Sequence, residues 1–134
     1  MLEISRHMID AAPSPVAPFS HVVRAGDFLF VTGQMPTAPG GGTTLVAGGI
    51  AEQTHQVMRN LQAVLHGVGA RLEDTVMARV YLTAFERDYA AMNAVYESYF
   101  PPDVLPARTC IGVTGLAVGA LVEIDLVAVR GGGP

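Results

Sequence analysis

Two amphipathic helical segments, set among short strand-like segments, limit the folds open to this chain. Apolar residues recur at spacings of three and four over residues 50–68, and a second apolar stripe runs over residues 85–100 until Pro101 and Pro102. Each helix must bury its apolar face against another layer. Strand-like runs precede, separate and follow the helices. This order predicts an α+β fold in which two helices cover one face of a single mixed sheet.

The strand-like runs also predict local connections. Residues 21–24 and 28–31 flank the turn at 25–27, which is typical of a β-hairpin. Residues 76–82 predict a strand between the helices. Two further strands, 107–113 and 121–129, are expected to pair as a second hairpin.

The rest of the chain predicts one domain, residues 1–134, with two irregular segments. Residues 37–49 are rich in glycine and proline and are expected to form a flexible loop. Residues 131–134 are expected to be a flexible tail.

Composition excludes several function classes. The net charge is -4, and all eight basic side chains are arginine. The absence of lysine excludes a lysine Schiff base and a Walker-type phosphate loop. The acidic balance and the scattered arginines predict no nucleic-acid partner. One cysteine, Cys110, permits neither an intramolecular disulfide nor a cysteine-based zinc site, and the histidines are too dispersed for a metal site. We therefore expect no metal, no cofactor and a cytoplasmic location. No apolar run reaches the roughly 18 residues that span a membrane.

Charged residues in the last two strands are the strongest functional signal. Arg108 and Cys110 lie in one strand, and Glu123 lies in the apolar run 121–129. A charge in such a strand must be paired or must bind a ligand, because desolvation is costly. In the predicted hairpin, alternation places Arg108, Cys110, Glu123 and Asp125 together on the face away from the helices.

That face also carries apolar side chains, namely Leu121, Val127 and Val129. A monomer would leave them in water, so the face is expected to be a subunit interface of a closed homo-oligomer, with a polar pocket in it. An ion pair between Arg108 and Glu123 is the commoner explanation of two charges on one strand face, and the pattern alone leaves both readings open.

Four motifs resemble the reactive intermediate deaminase family, also called Rid or YjgF-like and formerly endoribonuclease L-PSP. They are Gly33-Gln34, Asn93-Ala94-Val95-Tyr96, Pro106-Ala107-Arg108-Thr109-Cys110 and Val122-Glu123-Ile124. The resemblance implies a chorismate-mutase-like fold and a homotrimer with sites at subunit interfaces. It also implies hydrolysis of 2-enamine and 2-imine acids, such as 2-aminoacrylate or 2-iminobutanoate, to 2-keto acids and ammonia.

The resemblance further implies individual roles. Arg108 would bind the substrate carboxylate, and Glu123 would handle water. The remaining substrate-binding positions are Cys110, Phe19, Thr32, Gly33 and Asn93. Cys110 is expected to line the pocket and not to act as a nucleophile, because no histidine lies near it in sequence. Phe19 stands where the best-studied branch has tyrosine.

These residue types suit that chemistry. A guanidinium grips a planar carboxylate through two parallel hydrogen bonds, and a carboxylate can shuttle a proton from water to a departing amine. Alternatives are deamination of a larger enamine such as 2-aminomuconate, and a non-catalytic trimer that binds small carboxylates. An RNA-cleaving translation inhibitor is least favoured by the acidic charge.

Overall fold

The protein is described by a computed structural model that covers residues 1–130. The predicted tail at 131–134 lies outside the described residues. The strands and helices, in chain order, are β1 (Ile4–His7), β2 (Val22–Ala25), β3 (Phe28–Gln34), α1 (Ile50–His66), β4 (Thr75–Leu82), α2 (Phe85–Glu97), β5 (Ala107–Gly112) and β6 (Val122–Val129). Within these residues, no helix has the length and hydropathy that crossing a membrane requires.

The strands form one six-stranded sheet in the order β1-β2-β3-β6-β4-β5. β4 and β5 are parallel, and the other neighbouring strands are antiparallel. The single mixed sheet predicted from the sequence is therefore confirmed. The first hairpin is also confirmed, with Gly26 at a φ of +60° in its turn.

The second predicted hairpin is wrong, because β4 lies between β5 and β6. β4 has one face fully buried, through Ala78, Val80 and Leu82, and it is paired on both sides. The chain runs from β4 through α2 to β5, which is the crossover that joins parallel strands. Residues 113–121 then carry it past β4 to the other side, so the last two strands never meet.

Both helices lie on the same face of the sheet, as predicted. α1 buries Val57, Leu61, Val64 and Leu65 completely, and it contacts β3, β6 and α2. Burying an aliphatic side chain of this size contributes roughly 1.5–3 kcal/mol. The opposite face of the sheet is not covered by any element of residues 1–130, and we call it the open face.

The predicted loop at 37–49 is irregular apart from a single bridge between Thr37 and Leu45. Its base is held by the buried side chain of Asn60, whose Nδ2 donates to the carbonyl oxygens of Met35 (2.9 Å) and Thr37 (2.8 Å). The loop is therefore attached firmly to α1 where it begins. Flexibility of its remaining residues stays a prediction.

Candidate active site

Arg108 lies on the helix face of the sheet, at the edge strand β5. It is aligned with Ala78 of β4, and its half-buried side chain reaches α2. Its Nη1 donates to Oδ1 of Asn93 (2.6 Å), and its Nη2 donates to the hydroxyl of Tyr89 (3.3 Å). The guanidinium carbon also lies 5.1 Å from the centre of the Tyr96 ring. Neutral oxygen atoms and an aromatic face thus hold the cation and leave its charge unneutralised.

A cleft of about 370 Å³ opens beside this guanidinium. Its lining residues are Asn93, Tyr96, Glu97, Leu105, Pro106 and Arg108. We call it the arginine cleft. It places one positive charge beside the side chains of Tyr96, Leu105 and Pro106, a combination that suits a small organic acid, and Glu97 adds one carboxylate to the lining.

Cys110 follows Arg108 on the same face of β5 and packs against the core. Burial raises the pKa of its thiol, and the nearby Arg108 charge offsets this only in part. A thiol with a raised pKa is a poor nucleophile at neutral pH. The environment of Cys110 therefore disfavours a nucleophilic role, and its expected place in the pocket lining stays a prediction.

Glu123 lies on the open face, aligned with Tyr81 of β4. It is half-buried, and no side chain or backbone group of residues 1–130 donates a hydrogen bond to its carboxylate in this structure. Burial raises the pKa of Glu123, and the charge of Asp125 raises it further. A raised pKa suits a carboxyl group that must both accept and return a proton near neutral pH.

Gly33 lies directly against this carboxylate. The pairing of β3 with β6 shifts register between Val31 and Gln34, which places a bulge at Thr32 and Gly33. A Cβ at Gly33 would overlap the Oε2 atom of Glu123. The glycine thus provides the space that the carboxylate occupies.

A second cleft, of about 380 Å³, lies on the open face near this bulge. Phe19, Thr32 and Gly33 line it, together with Arg79 and Asp125. We call it the open-face cleft. The predicted site residues therefore form two groups. Arg108, Cys110 and Asn93 lie on the helix side of the sheet, and Phe19, Thr32, Gly33 and Glu123 lie on the open side.

The predicted shared face of Arg108, Cys110, Glu123 and Asp125 is wrong. The alignment of Arg108 and Cys110 with buried residues of β4 points them toward the helices, whereas Glu123 and Asp125 point away. The error lies in β5, whose more apolar alternating set was expected under the helices. Ile111 of that set instead faces away from the helices and is 46% exposed. An ion pair between Arg108 and Glu123 is absent from residues 1–130.

Asp125 has an ordinary structural role, as a partner for an arginine. Its carboxylate accepts from Nε of Arg79 (2.8 Å) and from the hydroxyl of Tyr81 (3.0 Å). Burial raises the pKa of Tyr81, and its hydrogen bond to Asp125 adds to this. Asp125 thus has an ion-pair partner, whereas Glu123 beside it has none among residues 1–130.

Two tyrosines beside Arg108 were missed by sequence reasoning, one in the lining of the arginine cleft and one that hydrogen-bonds Arg108 next to it. Tyr89 and Tyr96 follow the helical spacing of an apolar stripe, which is typical of core packing. The signal that separates them from core residues is their position four residues before and three residues after Asn93, which puts all three on one side of α2. Burial raises the pKa of Tyr96 to about 12, so its hydroxyl stays protonated.

The histidines lie outside both clefts, and no cluster of three metal-ligating side chains occurs in the part of the chain that the structure describes. His21 is buried instead as a structural link. Its Nδ1 accepts from the backbone N–H of Ile9 (2.8 Å), so its Nε2 carries the proton and donates to the carbonyl oxygen of Pro13 (2.8 Å).

The fold and the two polar sets define a class of small α+β proteins in which two helices cover a six-stranded mixed sheet. Solved structures share this arrangement. The YjgF gene product of E. coli superposes with a TM-score of 0.85 at 29% identity, covering 94% of this chain and 98% of that one. RidA from the Antarctic bacterium Psychrobacter superposes with a TM-score of 0.85 at 31% identity, covering 92% and 99%.

The family model described as Endoribonuclease L-PSP matches residues 9–130, so the chain belongs to this family, which is also called Rid, YjgF or RutC. A RutC family protein of Synechocystis is 42% identical over 88% of this chain and 90% of its own length. A RutC family protein of Pyrococcus horikoshii is 40% identical over 89% and 92%. The resemblance inferred from the four sequence motifs is confirmed.

Proposed function

We propose that this protein hydrolyses reactive 2-enamine and 2-imine acids to 2-keto acids and ammonia. The proposal is based on the half-buried guanidinium of Arg108, which forms no ion pair among residues 1–130 and faces a cleft that Tyr96, Leu105 and Pro106 also line. A half-buried cation without a counter-charge is stabilised when an anionic ligand binds to it. Membership of the Rid family supports an imine acid as that ligand.

In the proposed reaction, Arg108 binds the substrate carboxylate through two parallel hydrogen bonds, which fixes the adjacent C=N carbon. An enamine substrate first takes the imine form. Glu123 accepts a proton from water as the water oxygen attacks that carbon, and it delivers the proton to the nitrogen. The resulting carbinolamine expels ammonia and becomes the 2-keto acid, so imine and water are converted to keto acid and ammonia without a redox step.

We propose further that the site forms between subunits of a homotrimer. Arg108 and Glu123 project from opposite faces of one sheet, so a second copy must bring an open face to the arginine cleft. The open face is suited to contact, because Val23, Phe30, Val127 and Met77 are aligned in one row across four strands. Phe28 and Phe30 are 51% and 47% exposed in the single chain.

The activity is tested by generating 2-iminobutanoate in situ with a threonine dehydratase and following the formation of 2-oxobutanoate. Wild type should exceed the spontaneous rate, and Arg108→Ala should lose most of this acceleration. Arg71→Ala is the matched control, because Arg71 is exposed and lines neither cleft. Wild type that binds 2-oxobutanoate but accelerates no imine tested would indicate the non-catalytic carboxylate-binding trimer instead.

Complementation tests the divided site. Arg108→Ala and Glu123→Gln subunits are mixed, unfolded, and refolded together. In a cyclic trimer, each mixed assembly contains one interface with both native residues, so random mixing should restore about a quarter of the wild-type activity. A site built within one chain would give no recovery. Light scattering should show a mass three times the 14.1 kDa of one chain, and a monomer mass would contradict the proposed interface.

A further inference from the structure

Arg108 donates hydrogen bonds to two side chains of α2, and only one of these two belongs to the family motif. The Oδ1 atom of Asn93 accepts a hydrogen bond from Nη1, and the hydroxyl oxygen of Tyr89 accepts one from Nη2. The centre of the Tyr89 ring lies 5.9 Å from the guanidinium carbon. We propose that Tyr89 is a positioning residue, which orients the Arg108 guanidinium for carboxylate binding. The inference rests on the proposed function, since it assigns Tyr89 a part in the same site.

The Tyr89 ring is itself held in place. It stacks on Phe85, one helical turn earlier, with ring centres 4.8 Å apart and planes 28° apart. Phe85 packs closely under Gly112, where an added Cβ would lie 3.1 Å from its Cβ. The packing of Tyr89 on Phe85, and of Phe85 under Gly112, therefore restricts where the Tyr89 hydroxyl can lie.

The two contacts act at different nitrogens of one planar group. Asn93 fixes only Nη1, and the Tyr96 ring, 5.1 Å from the guanidinium carbon, makes no directional contact, so these two alone would let the guanidinium rotate about Nη1. The second contact at Nη2 fixes the plane relative to α2, and it still leaves three of the five N–H groups for a ligand. A carboxylate needs two of these in parallel orientation, so fixing the plane should lower the entropy lost on binding.

The test is Tyr89→Phe in the full-length assembled protein, which keeps the ring and removes only the hydroxyl. The KM for 2-iminobutanoate and the Kd for 2-oxobutanoate, measured by calorimetry, should each rise about fivefold, because a hydrogen bond that orients the carboxylate-binding group contributes equally to ground state and transition state. The kcat and the Tm should stay close to wild type. Tyr99→Phe is the matched control, because the Tyr99 hydroxyl contacts His55 and not Arg108.

Unchanged KM and Kd in Tyr89→Phe would overturn the inference. A fall in Tm or kcat without a rise in Kd would also overturn it, because that result indicates a role in packing alone. If wild type binds the keto acid but does not hydrolyse imines, the proposed activity fails while the Kd comparison still tests Tyr89. If wild type neither binds the keto acid nor hydrolyses imines, both proposals fail.

Discussion

Replacing Gly33 by alanine tests whether the observed position of the Glu123 carboxylate matters for catalysis. The added methyl group would occupy the place of the Glu123 Oε2 atom. The backbone of Gly33 is not among the positive-φ glycines, so alanine is tolerated by its conformation. Glu123 has to move, while its chemistry and its charge are unchanged.

The expected cost to stability is small and the expected cost to activity is large. Displacing the half-buried Glu123 side chain costs about 1 kcal/mol, the low end for an added methyl group, because its carboxylate can move toward the open-face cleft. Replacing glycine by alanine restricts the unfolded chain, which returns roughly 0.4–1 kcal/mol. Misplacing a catalytic group by about 1 Å can cost on the order of 100-fold in rate. We therefore expect kcat/KM to fall about 100-fold with a free energy of unfolding within about 1 kcal/mol of wild type.

The measurements are imine hydrolysis, as above, and urea denaturation of the same preparations. Gly115→Ala is the matched control, since a Cβ there meets nothing within 4 Å and its φ is not positive. It should leave both quantities unchanged. If Gly33→Ala retains kcat/KM within twofold of wild type, the carboxylate does not act from the position seen here, and the reasoning about Glu123 is refuted.

Two further predictions concern the stability contributions of Glu123 and His21. Burial raises the pKa of Glu123 above its ordinary value of 4.5, so ionising it costs stability; Glu123→Gln should raise the Tm and abolish turnover. The gain in Tm should be absent below about pH 4, where the Glu123 carboxyl is protonated in both the folded and the unfolded state, and it should grow toward pH 7. Scanning fluorimetry across this pH range measures the gain. A gain that is largest in acid would contradict the prediction. His21→Ala removes the buried link between Ile9 and Pro13 and should lower the free energy of unfolding by about 2–4 kcal/mol in urea, whereas the exposed His66→Ala should change it by less than about 0.5 kcal/mol. Equal effects of the two histidine changes would show that the link contributes nothing.

The helices and the family motifs were predictable from the sequence because their signals are local. The spacing over residues 50–68 identified α1 to within two residues of its end, and Arg108 and Glu123 stood out as charges in strands. Strand order is a non-local property, and nothing within residues 107–129 indicates that β4 lies between the last two strands. Tyr89 was missed for a related reason, because helical periodicity is the same for a core residue and for one that contacts a guanidinium from the neighbouring strand.

Strand order also determines whether Arg108 and Glu123 can form an ion pair within one chain. In a hairpin, Arg108 and Glu123 would lie about 5 Å apart, within reach of an ion pair, and each turnover would first have to separate them. Separating a partly buried pair costs up to roughly 3–5 kcal/mol. On opposite faces of the sheet the two groups cannot neutralise each other within one chain. In the proposed trimer, their separation is set by the cleft between subunits and not by strand pairing. Within residues 1–130, Arg108 is held only by neutral oxygens and aromatic rings, and Glu123 accepts no hydrogen bond. In the proposed divided site, both groups therefore remain available to substrate and water.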